Sequence, residues 1–180
     1  MKEYAVGLVG VGAVGTEMIK VLKERKFPLK GQVQVFASRE RDEQILGETY
    51  HVKKAGEDSF KGLDIVLFAG KTDVALELRD AVVKAGAKMI DNSRAFRQDP
   101  EVPLVVPQVN AEDLDWNKGV IANPNCTTAI MLEAVAPLHK AKGLRRVVAA
   151  TYQAASGAGQ PGLNELEDCP MKLHHVLCYL

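Results

Sequence analysis

The sequence predicts an α/β fold, a doubly wound parallel sheet with helices on both faces, followed by the start of an incomplete α+β second domain. Three observations predict it. Short apolar runs alternate with helical patterns from residue 4 to residue 93, a glycine-rich turn joins the first run to the first helix, and the chain changes character after an Asn-Pro-Asn-Cys turn at 123–126. Parallel strands need this alternation, because the chain reaches the next parallel position only through a crossover, usually a helix.

Residues 4–9, YAVGLV, form a short apolar run that reads as the first strand. GVGAVG then turns the chain into TEMIKVLKERK, where Met18, Ile19, Val21 and Leu22 recur at helical spacing. VQVFAS (33–38) reads as a second strand and DIVLFAG (64–70) as a buried one. AKMIDNS (87–93) is another, reached through the helix DVALELRDAVVKAG. Residues 94–119 turn polar and hold three of the eight prolines, which predicts an ordered excursion with little helical periodicity. A helix of about 15 residues is expected after the Asn-Pro-Asn-Cys turn. LRRVVAATYQAAS (144–156), β-branched in its first half, then predicts a strand opening a second unit.

Lys plus Arg and Asp plus Glu number 23 each, so no global field attracts nucleic acid or anionic lipid, and any anion site must be local. The N-terminus MKEYAVGLVGVG suits a first strand better than a signal peptide. No run approaches the roughly 20 apolar residues that span a bilayer, so a cytoplasmic location is the default expectation. Three cysteines without paired spacing make neither a disulfide framework nor a metal-ligand set.

Gly10, Gly12 and Gly15 form G-x-G-x-x-G between a strand and a helix, with Ala13 and Val14 inside the loop. In a Rossmann-like fold the first glycine makes the turn, the second lets a pyrophosphate approach the helix N-terminus, and the third lets helix and strand pack. The alternative is a tight turn with no ligand. A free ribose 2'-hydroxyl would favour an acidic residue at the end of the second strand, but Ala37-Ser38-Arg39-Glu40-Arg41 stands there. A hydroxyl and a guanidinium suit a 2'-phosphate, which favours NADP over NAD. The competing reading pairs Arg39 and Arg41 with Glu40 and Glu43 on the surface.

Cys126 follows the Asn-Pro-Asn turn and precedes Thr127-Thr128-Ala129, so it is expected in the first turn of a helix. Unpaired N–H groups and the positive end of the helix dipole favour a thiolate there, and favour the oxyanion formed when a thiolate adds to a carbonyl. The alternative for a lone cysteine is a buried, inert thiol. A nucleophilic cysteine beside a nicotinamide implies thiolate addition to an aldehyde, hydride loss to the cofactor and opening of the thioester by phosphate or water. In reverse this is reduction of an acyl phosphate.

GVGAVGTEMIKVLKER, ASRE, DNSRAFRQDPEVPLVVPQVN, NPNCTT and TYQAASGAGQPGLNELE together resemble aspartate-semialdehyde dehydrogenases of the bacterial type, from residue 4 to about residue 168. The related N-acyl-glutamyl-phosphate reductases carry glycine where Asn125 stands. The resemblance implies NADPH-dependent reduction of L-aspartyl 4-phosphate to aspartate 4-semialdehyde with release of phosphate, on the way to lysine, threonine, methionine and diaminopimelate, by homo-oligomers that are dimers or tetramers. It implies that Cys126 forms the acyl thioester, Gln153 orients the substrate, Arg97 binds the phosphate and Asn125 helps position the thiohemiacetal. It assigns NADP to the loop from Gly10 to Gly15, Ser38, Arg39, Thr72, Ser156 and Gly157. Read as residues alone, Arg97 has the alternative of pairing with Asp99, and Gln153 that of a polar strand end.

Two departures stand out. The family loop is usually G-x-x-G-x-x-G, one residue longer. The histidine acting as acid/base and the arginine binding the substrate carboxylate are expected beyond residue 180, and His51 and His139 fall outside the family's motifs. The expected division is therefore a dinucleotide-binding domain at 1–125 and, at 126–180, the cysteine helix with the start of a truncated substrate and dimerisation domain. The stretch CPMKLHHVLCYL (169–180) holds two of the three cysteines and two of the four histidines, and is expected to be out of frame or otherwise altered. A catalytically dead NADP-binding or subunit-pairing fragment remains the competing functional reading.

Overall fold

The computed structural model describes residues 2–168, which divide between Arg145 and Arg146 into two compact units. This boundary lies beyond the one expected at 125/126. The helix that begins at Cys126 stays with the first unit because it packs against the short helix Pro107–Asn110.

In the first unit seven strands form one sheet: β1 (Val6–Val9), β2 (Gln34–Ala37), β3 (Arg41–Ile45), β4 (Glu48–Lys54), β5 (Ile65–Phe68), β6 (Lys88–Asp91) and β7 (Val120–Ala122), in the order β3-β4-β2-β1-β5-β6-β7. Every pairing is parallel except the β3–β4 hairpin. The chain builds outward from β1 in one direction through β2 and in the other through β5, so the topological switch lies between β1 and β5. In open α/β sheets ligands bind in the crevice outside the carboxyl ends of the strands at that switch.

Two cores follow from the strand pleat, which sends successive side chains to opposite faces. Helix α1 (Ala13–Glu24) lays Met18, Ile19 and Leu22 against Val6, Leu8, Val35, Tyr50 and Val52. Helix α2 (Thr72–Lys84) lays Ala75, Leu78 and Val82 on the other face against Val9, Phe36, Val66, Phe68, Met89 and Val120. Neighbours in sequence, Val35 and Phe36, thus serve different cores. The short α3 (Pro107–Asn110) and a 3-10 turn at Ala111–Trp116 fill the excursion before β7. α4 (Cys126–Lys142) ends at Gly143, whose φ of 68° makes the left-handed C-cap that glycine adopts without strain.

The second unit contains a 3-10 turn at Ala155–Ala158 and α5 (Gly159–Asp168). A side chain at Gly162 would come within 2.7 Å of the Ala155 carbonyl oxygen and of Ala158, which explains the glycine at that contact.

The strand expected at 144–156 does not form. Residues 145–154 have no regular secondary structure, with Val148 83% and Tyr152 95% exposed. A strand exists only by pairing, and no described segment pairs with this one. The hairpin β3–β4 and the strand β7 were not expected from sequence. Residues 169–180, expected to be altered, lie outside the described residues.

Candidate functional site

The three loop glycines at the end of β1 meet three different demands. Gly10 has φ of 99° and donates its N–H to the Phe36 carbonyl at 2.9 Å, and a side chain there would sit 2.9 Å from the backbone oxygen of Ala69. Gly15 lies inside α1, and a Cβ on it would fall 2.0 Å from the Gly10 carbonyl oxygen. Gly12 is the N-cap of α1 in an ordinary extended conformation, with nothing within 4 Å of where a Cβ would be. α1 starts without a side-chain cap or an acidic residue in its first turn. Its first N–H groups, at Ala13, Val14 and Gly15, therefore keep no partner among the described residues, a setting that suits an anion.

The neighbouring strand β2 ends at Ala37, followed by exposed Ser38, Arg39 and Glu40. Arg41 is engaged: its guanidinium meets Glu43 at 2.6 Å. Arg39 has no ion pair or side-chain hydrogen bond among the described residues. The pairing alternative thus holds for one arginine and leaves the other available. Thr72 opens α2 on the far side of the crevice, half-buried, and α2 also begins without a side-chain cap.

A second cluster forms where β6 and β7 end side by side. Asp91, fully buried, accepts hydrogen bonds from the Ser93 N–H (3.1 Å) and hydroxyl (2.8 Å). Arg97, half-buried, donates from Nε to the Asn123 carbonyl at 2.9 Å and from Nη2 to the Asn92 carbonyl at 3.0 Å. Asn123 Nδ2 donates to Asn92 Oδ1 at 2.6 Å. The pair between Arg97 and Asp99 does not form, because Asp99 instead accepts the Glu101 N–H at 2.9 Å. Arg97 therefore carries its charge with no carboxylate partner among the described residues. Asn92 and Asn123 were not singled out from sequence, since 31 residues separate them.

Cys126 is exposed and is the first residue of α4, three positions after Asn123. Asn125 caps the helix through its side-chain oxygen, which accepts the Thr127 N–H at 3.0 Å. The N–H groups of Cys126 and Thr128 keep no partner among the described residues. Thiol and free backbone donors thus stand together, and a buried thiol is ruled out.

Gln153, Ser156 and Gly157 belong to the second unit. The Gln153 side chain folds over Gly157, leaving no room for a Cβ there, and Gln153 and Ser156 are both exposed.

A glycine loop at the switch point of a doubly wound sheet, with a free arginine beside it, defines a dinucleotide-binding domain. Residues 5–117 match the family described as semialdehyde dehydrogenase, NAD binding domain. The chain belongs to this family. It is 45% identical over 172 residues to the aspartate-semialdehyde dehydrogenase of Aquifex aeolicus, covering 92% of this chain and 50% of that protein. The crystal structure of aspartate semialdehyde dehydrogenase II from Vibrio cholerae is similar with a TM-score of 0.86 and 37% identity, over 92% of this chain and 51% of that one. The same Vibrio protein complexed with ASA gives a TM-score of 0.86 and 36% identity, over 93% of this chain and 52% of that one. The chain thus spans about half the length of these relatives. Among the described residues no helix is long and apolar enough to cross a membrane.

Proposed function

We propose that this chain is the NADP-binding and nucleophile-bearing part of an enzyme that reduces L-aspartyl 4-phosphate to L-aspartate 4-semialdehyde, releasing phosphate. The observation that carries the proposal is exposed Cys126 at the start of α4, with two unpaired N–H groups beside it and Arg97 anchored on the carbonyl of Asn123, three residues before it in the chain. The ASA of the Vibrio complex, read as aspartate semialdehyde, supports the substrate.

In this reading Cys126 Sγ attacks the acyl carbon, the Sγ–C bond forms as the carbonyl π pair moves to oxygen, and collapse of that tetrahedral state breaks the C–O bond to phosphate. The phosphate leaves with the bonding electrons, and Arg97 meets its charge. The N–H groups of Cys126 and Thr128 receive the oxyanion of the tetrahedral state. When bound, NADPH supplies the hydride that takes the thioester to the aldehyde. The open space at Gly12, the uncapped start of α1 and the free Arg39 fit that dinucleotide, with the pyrophosphate on Ala13, Val14 and Gly15 and the 2'-phosphate on Ser38 and Arg39. Thr72 keeps the role that the family resemblance implies. The acid/base histidine and the carboxylate-binding arginine are assigned to no residue of this chain.

Mild alkylation with and without NADP, read by mass spectrometry, tests the nucleophile, and phosphate-dependent NADPH formation from aspartate semialdehyde tests the reaction. Cys126 is expected to label faster than Cys169 and Cys178. Equal labelling of all three would sink the proposal.

Two substitutions test the dinucleotide site. Gly12→Ala fits the backbone and touches nothing in the protein, so unfolding should change by less than about 1 kcal/mol. The added methyl occupies the pyrophosphate's space, and NADP affinity should fall by about tenfold or more, as a titration followed by fluorescence would read. Arg39→Ser should weaken NADP by about tenfold and leave NAD unchanged. An equal loss for both dinucleotides would remove Arg39 from the 2'-phosphate site.

A further inference from the structure

The two peptide groups that hold Arg97 are not equally fixed. The Asn92 carbonyl shares its peptide plane with the Ser93 N–H, which donates to buried Asp91, so that plane is held from both sides. The Asn123 carbonyl precedes Pro124, whose nitrogen has no hydrogen to donate, so among the described residues its plane is held only by Arg97. Asn123 is tied to the fixed side twice, by its backbone N–H on the Asp91 carbonyl at 2.8 Å and by its side chain on Asn92 Oδ1 at 2.6 Å, and the side-chain bond is the one that reaches the residue whose carbonyl also holds Arg97. Arg97 to Asn92, Arg97 to Asn123 and Asn123 to Asn92 close a ring of three hydrogen bonds across the ends of β6 and β7.

The ring decides which way the guanidinium faces. A guanidinium presents five N–H donors in a flat, rigid fork. The edge formed by Nε–H and one Nη2–H is occupied by the two carbonyls. The outer edge, formed by Nη1 and the second Nη2–H, has no partner among the described residues, and two parallel N–H groups there match an oxyanion bidentately.

We propose that Asn123, with Asn92 as its acceptor, is a positioning residue. Its side-chain bond sets the plane of Arg97, and so fixes the anion-binding edge relative to Cys126 three residues further along. The inference rests on the reading of Arg97 as the residue that meets the departing phosphate.

The test compares alkylation of Cys126 in the full chain by iodoacetate, an anion, with that by iodoacetamide, its neutral analogue. The Cys126 peptide is quantified by mass spectrometry with and without inorganic phosphate, and thermal unfolding is recorded alongside. The wild-type chain should favour iodoacetate over iodoacetamide more than free cysteine does, and phosphate should abolish the preference. Arg97→Met should lower the ratio of the two rates by about tenfold, and Asn123→Ala by about threefold to tenfold, with little change in the iodoacetamide rate. Asn92→Ala removes the same bond while leaving Asn123 intact and should match Asn123→Ala, which keeps the test decisive if one variant folds poorly. A ratio unmoved by Arg97→Met would defeat the reading of Arg97 itself. A ratio lowered by Arg97→Met but unmoved by either asparagine substitution would defeat the positioning role alone.

Discussion

Gly15→Ala is expected to cost the first unit about 3 kcal/mol or more of stability, at the upper end of what overpacking does. The new methyl would fall 2.0 Å from the Gly10 carbonyl oxygen and 3.0 Å from its carbon, and both are backbone atoms. No flexible side chain can swing away to relieve the overlap. Gly10 is itself pinned, with its N–H on the Phe36 carbonyl at 2.9 Å and Ala69 close behind it. Relief requires lifting α1 from β1, which draws buried Ile19 and half-buried Leu22 out of their packing with Leu8 and Val35. Urea denaturation of Gly15→Ala beside Gly12→Ala isolates the effect, because both add one methyl to the same loop. A Gly15→Ala midpoint equal to the wild-type value would mean that helix and loop do not meet backbone to backbone.

The parts of the fold that were legible in the sequence are those whose periodicity matches their burial. β1, β2, β5 and β6 read as apolar runs because each is packed on both faces, and α1 and α2 showed helical spacing because each buries a single stripe. The β3–β4 hairpin escaped for a local reason. Its turn is Leu46-Gly47 with φ of 53° and 80°, a two-residue loop with both residues in the left-handed region. Asn or Asp at the first position would have announced such a turn, and leucine does not. β3 itself, Arg-Asp-Glu-Gln-Ile, is an exposed edge strand whose charges discourage pairing with other chains and also hide it as a strand. The segment at 145–154 failed in the opposite sense, since β-branched residues state a preference that only a partner can realise.

The candidate site was legible where the chemistry sits in a contiguous motif and illegible where the sheet assembles it. The glycine loop, the Asn-Pro-Asn-Cys turn and Arg97 stand out in the sequence, whereas the bond between Asn92 and Asn123 exists only because β6 and β7 are neighbours. Sequence proximity suggested Asp99 as the partner of Arg97. The structure uses Asp99 to satisfy a turn and gives Arg97 two carbonyls instead, so the charge remains available. Under the proposed role of Arg97 that difference matters: an arginine neutralised by aspartate would bind phosphate weakly, and one held by neutral carbonyls does not face that competition.

Cys126→Ser is expected to leave the fold intact and remove the chemistry. Cys126 is exposed at the first position of α4, and serine places a similar side chain there without burying or exposing anything new. Thermal unfolding should therefore shift by less than about 2 °C. NADP affinity should stay at the wild-type value, because the glycine loop and Arg39 lie on other elements. A serine hydroxyl is a far weaker nucleophile than a cysteine sulfur, and no described histidine is placed to activate it, so the substitution removes the nucleophile rather than weakening it. Acyl transfer from acetyl phosphate, read as a hydroxylamine-sensitive mass increase on the 126 peptide, needs only the first half of the proposed reaction and no hydride. This transfer should fall by about 10⁴-fold or more. Acylation within tenfold of the wild-type rate would place the nucleophile elsewhere, and the unpaired N–H groups at the start of α4 would then serve anion binding alone.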